Sequence, residues 1–514
     1  MRFGGCLAAA ILWAGVAQAD CPDPAGPDVT GLYTGAAISS DGSRIETRIN
    51  LYCGDGKLAA QFFTSAGNFP GTKVALAGDV LTLGFDTRAA LGTLSLTRKG
   101  DTLTGSFDLA GDKGTAAFTR TGPAQAKDAS APRLDLTPAQ WREDIAFFAR
   151  ELPKHHANAF FSLGREIFDA EIAALTAKAD TANGDEMFVG LQAIANAIGD
   201  GHTGLVAPDD RRVMPIQVAK FGDAFRIVAS GPGAPGALGT RVVKIGGHPV
   251  DEVWRRALTL TPRGELDQLR RERALAYLAR GYALHGLGVT PDRNHALYSL
   301  ARDDGTAFDL DVAGLPPNAD AGLTSLWPDR LLPNQEKDAP FFCKDVGAGT
   351  VYCDWRGYQD LAKNARAMFA LVDRVKPHKL IVDMRDNGGG DNTVGDAQIV
   401  KPLEARADLN RKGRLYVLIG AETFSAAMNN AAQFQDETNA ILVGETIGEK
   451  PNSYQEPRQF TLPNSHLVVR ASTLWYAFRK TGPNLVAPDK EIVPSWADAK
   501  AGRDPVLDWV LAQP

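Results

Sequence analysis

Residues 414–430 read RLYVLIGAETFSAAMNN, and this stretch decides the fold of the carboxy-terminal part. Leu415 to Ile419 form an unbroken apolar run suited to a buried strand, Gly420 to Phe424 a tight exit, and Ser425 onward an alanine-rich helix. A serine at such a turn lies where the first helical N–H groups are unpaired and the helix dipole is positive. Two readings are open. Ser425 caps its helix, or its hydroxyl attacks a carbonyl while the N–H of Ala426 helps to hold the oxyanion.

Working outward, strands alternate with helices over residues 335–514, which predicts an α/β core. TVYCDWRGY reads as a strand, KNARAMFALVDRV as a helix, and KLIVDMRDNGGGDN as a buried strand running into a glycine-rich loop. Beyond Ser425 come AILVGETIG, a QFTLPNSHLVVRASTLWYAF hairpin turning at Pro463-Asn464, and DPVLDWVLAQ as a closing helix. Upstream, residues 134–208 predict a helical cap. Its first helix opens at Thr137-Pro138, and its third ends in Gly199-Asp200-Gly201-His202-Thr203. Two glycines beside a histidine suggest a turn that presents the imidazole. An isolated histidine is otherwise a solvated or hydrogen-bonded surface residue, and His155-His156 carry the same ambiguity. Between cap and core, residues 211–300 hold PIQVAKFG, AFRIVAS and GTRVVKIGGHPVDEVWRRAL, followed by a helical segment read as packing.

Residues 20–123 are different in kind. Short β-type runs such as RIETRINLYC and TLTGSFDLA alternate with Gly/Asp turns, which predicts an all-antiparallel sandwich or small barrel serving as an accessory domain. A linker, GPAQAKDASAPR, follows it.

The 514-residue length fits about three or four domains. With 44% hydrophobic and 23% charged residues the chain reads as globular, and a net charge of −6 without long charged runs gives no footing to nucleic acid or an anionic membrane. Arg2, the apolar stretch Leu7 to Val16 and Ala17-Gln18-Ala19 match a secretory signal over residues 1–19, cut before Asp20. No other run approaches the ~20 apolar residues of a membrane span. The expected location is therefore periplasmic or secreted. Cys21, Cys53, Cys343 and Cys353 remain after cleavage, an even set that predicts two disulfides. Three pairings are possible. Cys343 and Cys353 flank a Gly-Ala-Gly turn as they would across a hairpin, which leaves Cys21 with Cys53.

The order Asp383-Met384-Arg385-Asp386-Asn387-Gly388-Gly389-Gly390, then Thr423 to Ala427, then Val443 to Gly448 resembles the carboxy-terminal processing, or tail-specific, serine peptidases and the related tricorn core. GTRVVKIGGHPV similarly resembles a PDZ-type module, which would capture a peptide by strand addition. With the helical cap, the resemblance spans roughly residues 135–510. It implies a crotonase- or ClpP-like core, Ser425 as nucleophile, and Gly389 with Ala426 as the oxyanion hole. A hydroxyl needs a base beside it. The tail-specific branch of the family uses a lysine directly after T-x-G, where this chain has Glu449 with Lys450 next; the tricorn-like branch uses a histidine from the cap. The G-D-G-H-T loop therefore favours His202 as base, with Lys450 as the alternative. The tricorn-like branch orients its histidine with a glutamate just before a closing P-D segment; here Thr481-Gly482-Pro483-Asn484 precede Pro488-Asp489, and no glutamate stands there. Glu445, Asp489, Glu491 or Asp200 would have to substitute, or the site works as a dyad.

The expected function is thus that of an exported serine peptidase acting on peptides or unfolded proteins. The alternative is a non-catalytic binder of apolar ligands on the same fold, resembling the interphotoreceptor retinoid-binding proteins. No HExxH, P-loop or GxGxxG after a strand suggests a metal or organic cofactor.

Overall fold

The computed structural model describes residues 21, 29–40, 42, 44–54, 57–64, 67–86, 91–109, 112–124, 132–207, 212–315, 319–327, 332–336 and 339–514. The expected signal sequence, most of the expected linker and residues 208–211 lie outside the described residues. The chain divides into two units, Met1–Ala131 and Pro132–Pro514.

In the first unit, eight antiparallel strands each pair with the next: β1 (Gly31–Ser39), β2 (Arg44–Gly54), β3 (Lys57–Thr64), β4 (Gly67–Ala77), β5 (Val80–Asp86), β6 (Leu91–Lys99), β7 (Thr102–Leu109) and β8 (Asp112–Gly122). β1 then pairs with β8, Tyr33 opposite Arg120 and Ser39 opposite Gly114, so the sheet closes into a barrel. Closure is what distinguishes this barrel from the sandwich that the same strand pattern allows. Alternation places Ile49, Leu51, Leu81 and Leu83 inside with no exposed surface. Cys21 and Cys53 are disulfide-bonded.

The second unit opens with three helices, α1 (Pro138–His155), α2 (Arg165–Ala177) and α3 (Gly184–Ala197). Capping boxes start two of them, Thr137 with Gln140 and Asn183 with Glu186, each satisfying N–H groups that the helix leaves unpaired. After the two-residue strand β9 (Gly204–Leu205) comes a sheet of β10 (Ile216–Phe221), β11 (Ala224–Ser230), β12 (Arg241–Ile245), β13 (His248–Pro249), β14 (His295–Ala301), β15 (Ala307–Ala313) and β16 (Thr324–Ser325). Helices α4 (Val250–Ala257), α5 (Asp267–Tyr277) and α6 (Gly281–Gly286) fall between β13 and β14. This module extends past the expected limit at residue 300, because β14 needs β15 beside it and β16 returns to pair with β11.

The core sheet has the order β17 (Phe341–Gly347), β18 (Thr350–Trp355), β19 (Lys379–Asp383), β20 (Leu415–Ile419), β21 (Ile441–Gly444) and β24 (Lys490–Glu491). All neighbours are parallel except the β17–β18 hairpin, which the Cys343–Cys353 disulfide crosses. Every residue of β18, β19 and β20 is buried, as parallel strands covered on both faces require. One face carries α7 (Leu361–Val375), the helical run containing α8 (Asn392–Gly395) and α9 (Lys401–Glu404), and α10 (Ala426–Glu437). The other carries α12 (Pro505–Leu511), which follows α11 (Trp496–Lys500). A long hairpin, β22 (Asn452–Thr461) and β23 (Val468–Ala477), leaves the core and pairs with β9. The buried Asp144 carboxylate on α1 accepts the N–H groups of Asn464 and Ser465 at the hairpin turn, both at 2.8 Å. Cap and core therefore share one sheet and one hydrophobic cluster.

At the end of β19 the Arg385 guanidinium bonds Asp383 at 2.9 and 2.6 Å and Asp504, at the start of α12, at 2.9 and 2.7 Å. Removing the cation leaves two largely buried carboxylates without their counter-charge. Arg385→Met is expected to lower the unfolding free energy of the second unit by about 3–5 kcal/mol, read as a lower urea midpoint at an unchanged slope.

Candidate active site

Ser425 closes the exit of β20 and precedes α10 with φ 56° and ψ −125°. A side-chain-bearing residue rarely adopts that backbone, at a cost on the order of 1–3 kcal/mol, so its surroundings must impose it. They do so from three sides. Thr423 donates its hydroxyl to Met384 O at 2.8 Å, the Phe424 N–H bonds Asn387 O at 2.9 Å, and the Ser425 N–H bonds Glu449 Oε2. Such a strained strand-to-helix turn pushes the serine hydroxyl out of the sheet.

Three adjacent parallel strands converge here by their carboxyl ends, where open α/β sheets bind ligands. β19 leads to the Gly388-Gly389-Gly390 loop, β20 to Ser425, and β21 to Glu449. Gly389 has φ +104°, and a Cβ on it would stand 2.7 Å from the Ser425 Cβ, so only glycine fits that approach.

His202 arrives from the cap, 223 residues earlier in the chain. Its Nε2 stands 3.1 Å from Ser425 Oγ and its Nδ1 3.4 Å from Glu449 Oε1. The ring stacks on Phe424 with centroids 4.7 Å apart. Asp200 holds the loop: Oδ1 accepts the N–H groups of His202 (3.1 Å) and Thr203 (2.8 Å) and the Ser472 hydroxyl (2.6 Å). Its Oδ2 faces Nε2 of the buried His156 at 2.9 Å. Since His156 Nδ1 accepts the Asn158 N–H, its proton sits on Nε2 and is donated to Asp200. Burial disfavours the Asp200 charge, but the hydrogen bonds from His156 and Ser472 outweigh it and hold the carboxyl below its ordinary range.

Burial is also the main reason that the His202 ring stays neutral, its pKa lowered to about 4; Asp200 opposes this, while Arg273 and Arg470 add to it. Glu449 is fully buried and pushed well above the usual carboxylate range, first by burial and then by the charge of Glu265. Glu265, raised to about 7 chiefly by its own burial, accepts the N–H groups of Gly201 (2.9 Å) and Lys450 (3.0 Å). Arg273 lies over the Phe424 ring at 4.3 Å. These charges decide the tautomer of His202. His202 Nδ1 and Glu449 Oε1 face each other at 3.4 Å, neither with a hydrogen-bond partner; an ionised Glu449 favours the ring proton on Nδ1, with the Nε2 lone pair towards Ser425 Oγ, and a protonated one favours it on Nε2.

The expected orienting acids are occupied elsewhere. Asp489 accepts the Leu442 N–H at 2.9 Å, Glu445 is pushed above its ordinary range first by burial and then by the neighbouring Glu491, and Asp200 grips the His202 backbone. The carboxylate facing His202 Nδ1 is Glu449. Lys450, the alternative base, donates its amine to Gly264 O. The Gly389 N–H, expected in the oxyanion hole, is donated to Asn387 Oδ1 at 3.0 Å, with the Asn387 Nδ2 anchored on Trp355 O. Sequence reasoning missed Glu265 and Arg273, which come from the segment read as packing. The signal for Glu449 was available, since it stands where the lysine branch carries its base. Among the described residues no group of three or more His, Cys, Asp or Glu is arranged to hold a metal ion, and no helix is long and apolar enough to cross a membrane.

Residues 353–492 match the model of peptidase family S41. That span holds Gly389, Ser425 and Glu449, and His202 lies outside it. Among solved structures the chain is similar to mature CPAF, at 14% identity over 73% of this chain and 96% of that one, with a TM-score of 0.51. It is similar also to mature CPAF complexed with lactacystin, at 12% identity over 73% and 97%, again with a TM-score of 0.51. At these identities the likeness speaks for the fold alone. No curated protein matches the sequence.

Glu449→Gln keeps an acceptor for the Ser425 N–H but favours the wrong tautomer of His202. Turnover should fall by roughly 10⁴. In the unaltered protein, the acid limb of kcat/KM is expected above the ordinary carboxylate range, because Glu449 must ionise. Glu265→Gln removes the repelling charge and should move that limb to lower pH; a limb near 4 that ignores Glu265 would instead assign it to His202. Stability runs the other way. The folded state keeps a proton on Glu449 that the unfolded chain releases near 4.5, so raising the pH from there through the folded pKa gains activity and loses stability.

Proposed function

We propose that this chain, a serine-type peptidase with a tail-specific S41 domain at its carboxy end, cleaves peptides or unfolded proteins through an acyl-enzyme on Ser425. The observation that carries this reading is the line from Ser425 Oγ to His202 Nε2 and from His202 Nδ1 to Glu449, built on a strained serine. His202 takes the hydroxyl proton as Oγ attacks the scissile carbonyl, then returns it to the departing amine. Water enters, loses its proton to the same Nε2 and attacks the acyl carbon; the acyl–Oγ bond breaks, and His202 returns the proton to Ser425 Oγ as the acid product leaves. The Ala426 N–H, at the positive end of α10, stabilises the oxyanion from the start. The Gly389 N–H joins it once the substrate oxygen displaces Asn387 Oδ1. Glu449 orients and charges the base in place of the acids expected at Glu445 or Asp489.

Peptide chains suit the site because the sheet β10–β16, read as PDZ-like, offers strand edges to an extended segment. Export from the cytoplasm suits the two disulfides, which persist in oxidising compartments.

The test is labelling of the purified protein with a fluorophosphonate probe and location of the adduct by mass spectrometry. Labelling at Ser425 is expected, lost in Ser425→Ala and His202→Ala, reduced at least a hundredfold in rate in Glu449→Gln, and kept in Lys450→Ala. Absence of labelling in folded protein would turn the reading toward a binding protein on the same fold.

A further inference from the structure

We propose that the amino-terminal barrel is a binding module for a small uncharged apolar molecule, of the size of a single aromatic ring, seated inside one end of the barrel. An eight-stranded barrel is just wide enough either to be filled by its own side chains or to hold one small ligand. Here the two ends differ. Towards one, Tyr33, Ile49, Leu51, Leu58, Leu96 and Leu103 fill the interior, none more than 1% exposed. At the other a cavity of about 110 Å³ remains. Ala37, Ile45, Phe62, Phe85, Phe107 and Phe118 line it, together with Thr47, Thr64 and two leucines. The space persists because β1 contributes only the methyl group of Ala37 there.

The lining selects the ligand. Among the described residues it holds no charged group, so an ionised molecule would meet no partner there and would enter at a high desolvation cost. Thr47 donates its hydroxyl to Ile45 O on its own strand at 3.3 Å, which leaves it little need of a ligand acceptor. A water in the cavity would need two to four polar partners, and apolar cavities of this kind stay dry; one of about 150 Å³ lined by Leu, Ile and Phe takes benzene. The phenyl rings of Phe62 and Phe85, 5.1 Å apart and inclined at 46°, form a wall that offers faces and edges to a further ring.

The test uses the full chain with methyl-labelled isoleucine and leucine, titrated with benzene and, separately, with benzoate. Saturable shifts of the Ile45 and Leu94 methyl signals are expected with benzene and none with benzoate. Ala37→Leu fills the cavity and should weaken benzene binding at least tenfold. Leu94→Ala enlarges it from the opposite wall and should admit naphthalene at least tenfold more tightly than the unaltered barrel does. Benzene shifts that fail to saturate, shifts unchanged by Ala37→Leu, or equal binding of benzoate would each overturn the proposal. Because the site shares no residue with Ser425, His202 or Glu449, these results stand apart from the labelling experiment.

Discussion

The carboxyl group of Glu449 is the constraint on which the second unit turns. One oxygen takes the N–H of Ser425 and so helps to hold a backbone that would otherwise relax; the other faces the imidazole whose Nε2 stands 3.1 Å from the hydroxyl of the same residue. Structural and chemical demands thus meet in one buried side chain. Its surroundings oppose its charge, since burial and Glu265 both favour the protonated form. Arg273, across the Phe424 ring, works in the contrary direction. The site is a balance of charges inside a nearly closed space, where small changes in any one of them move the others.

What supports that space reaches well beyond the core sheet. His202 is held by Asp200, Asp200 by His156 and Ser472, and Ser472 lies on β23 of a hairpin that starts just past Lys450. The chain of contacts returns to the segment that supplies Glu449. Asp144 on α1 fixes the far end of the same hairpin. Cap and core are one mechanical body joined by a strand pairing rather than two domains in contact.

Local features were legible in the sequence where local physics decides them. The run Leu415 to Ile419 with its abrupt helix gave the strand, the turn and Ser425, and glycine at 389 reflects a close approach that no side chain permits. Alternating short strands gave the β character of the first unit. Closure into a barrel was not legible, because it depends on β1 meeting β8 at the opposite end of the unit. Glu265 and Arg273 escaped for the same reason. Each acquires its role from a partner distant in sequence, and nothing in a glutamate's immediate neighbours announces burial against another glutamate. The hydrogen bond from the Gly389 N–H to Asn387 is local but conformational, set by the left-handed turn rather than by residue type.

The separation of 223 residues between His202 and Ser425 also bears on when the protein becomes dangerous to its surroundings. A growing chain exposes the cap, then the β10–β16 module, and only at the end the strands that carry the hydroxyl and its acid. The hairpin that locks the base is made later still than Ser425. On the proposed reading, a chain in which β23 has not yet paired with β9 lacks the support that holds His202 beside Ser425, and hydrolysis waits on that long-range pairing. Timing is built into the order of the residues.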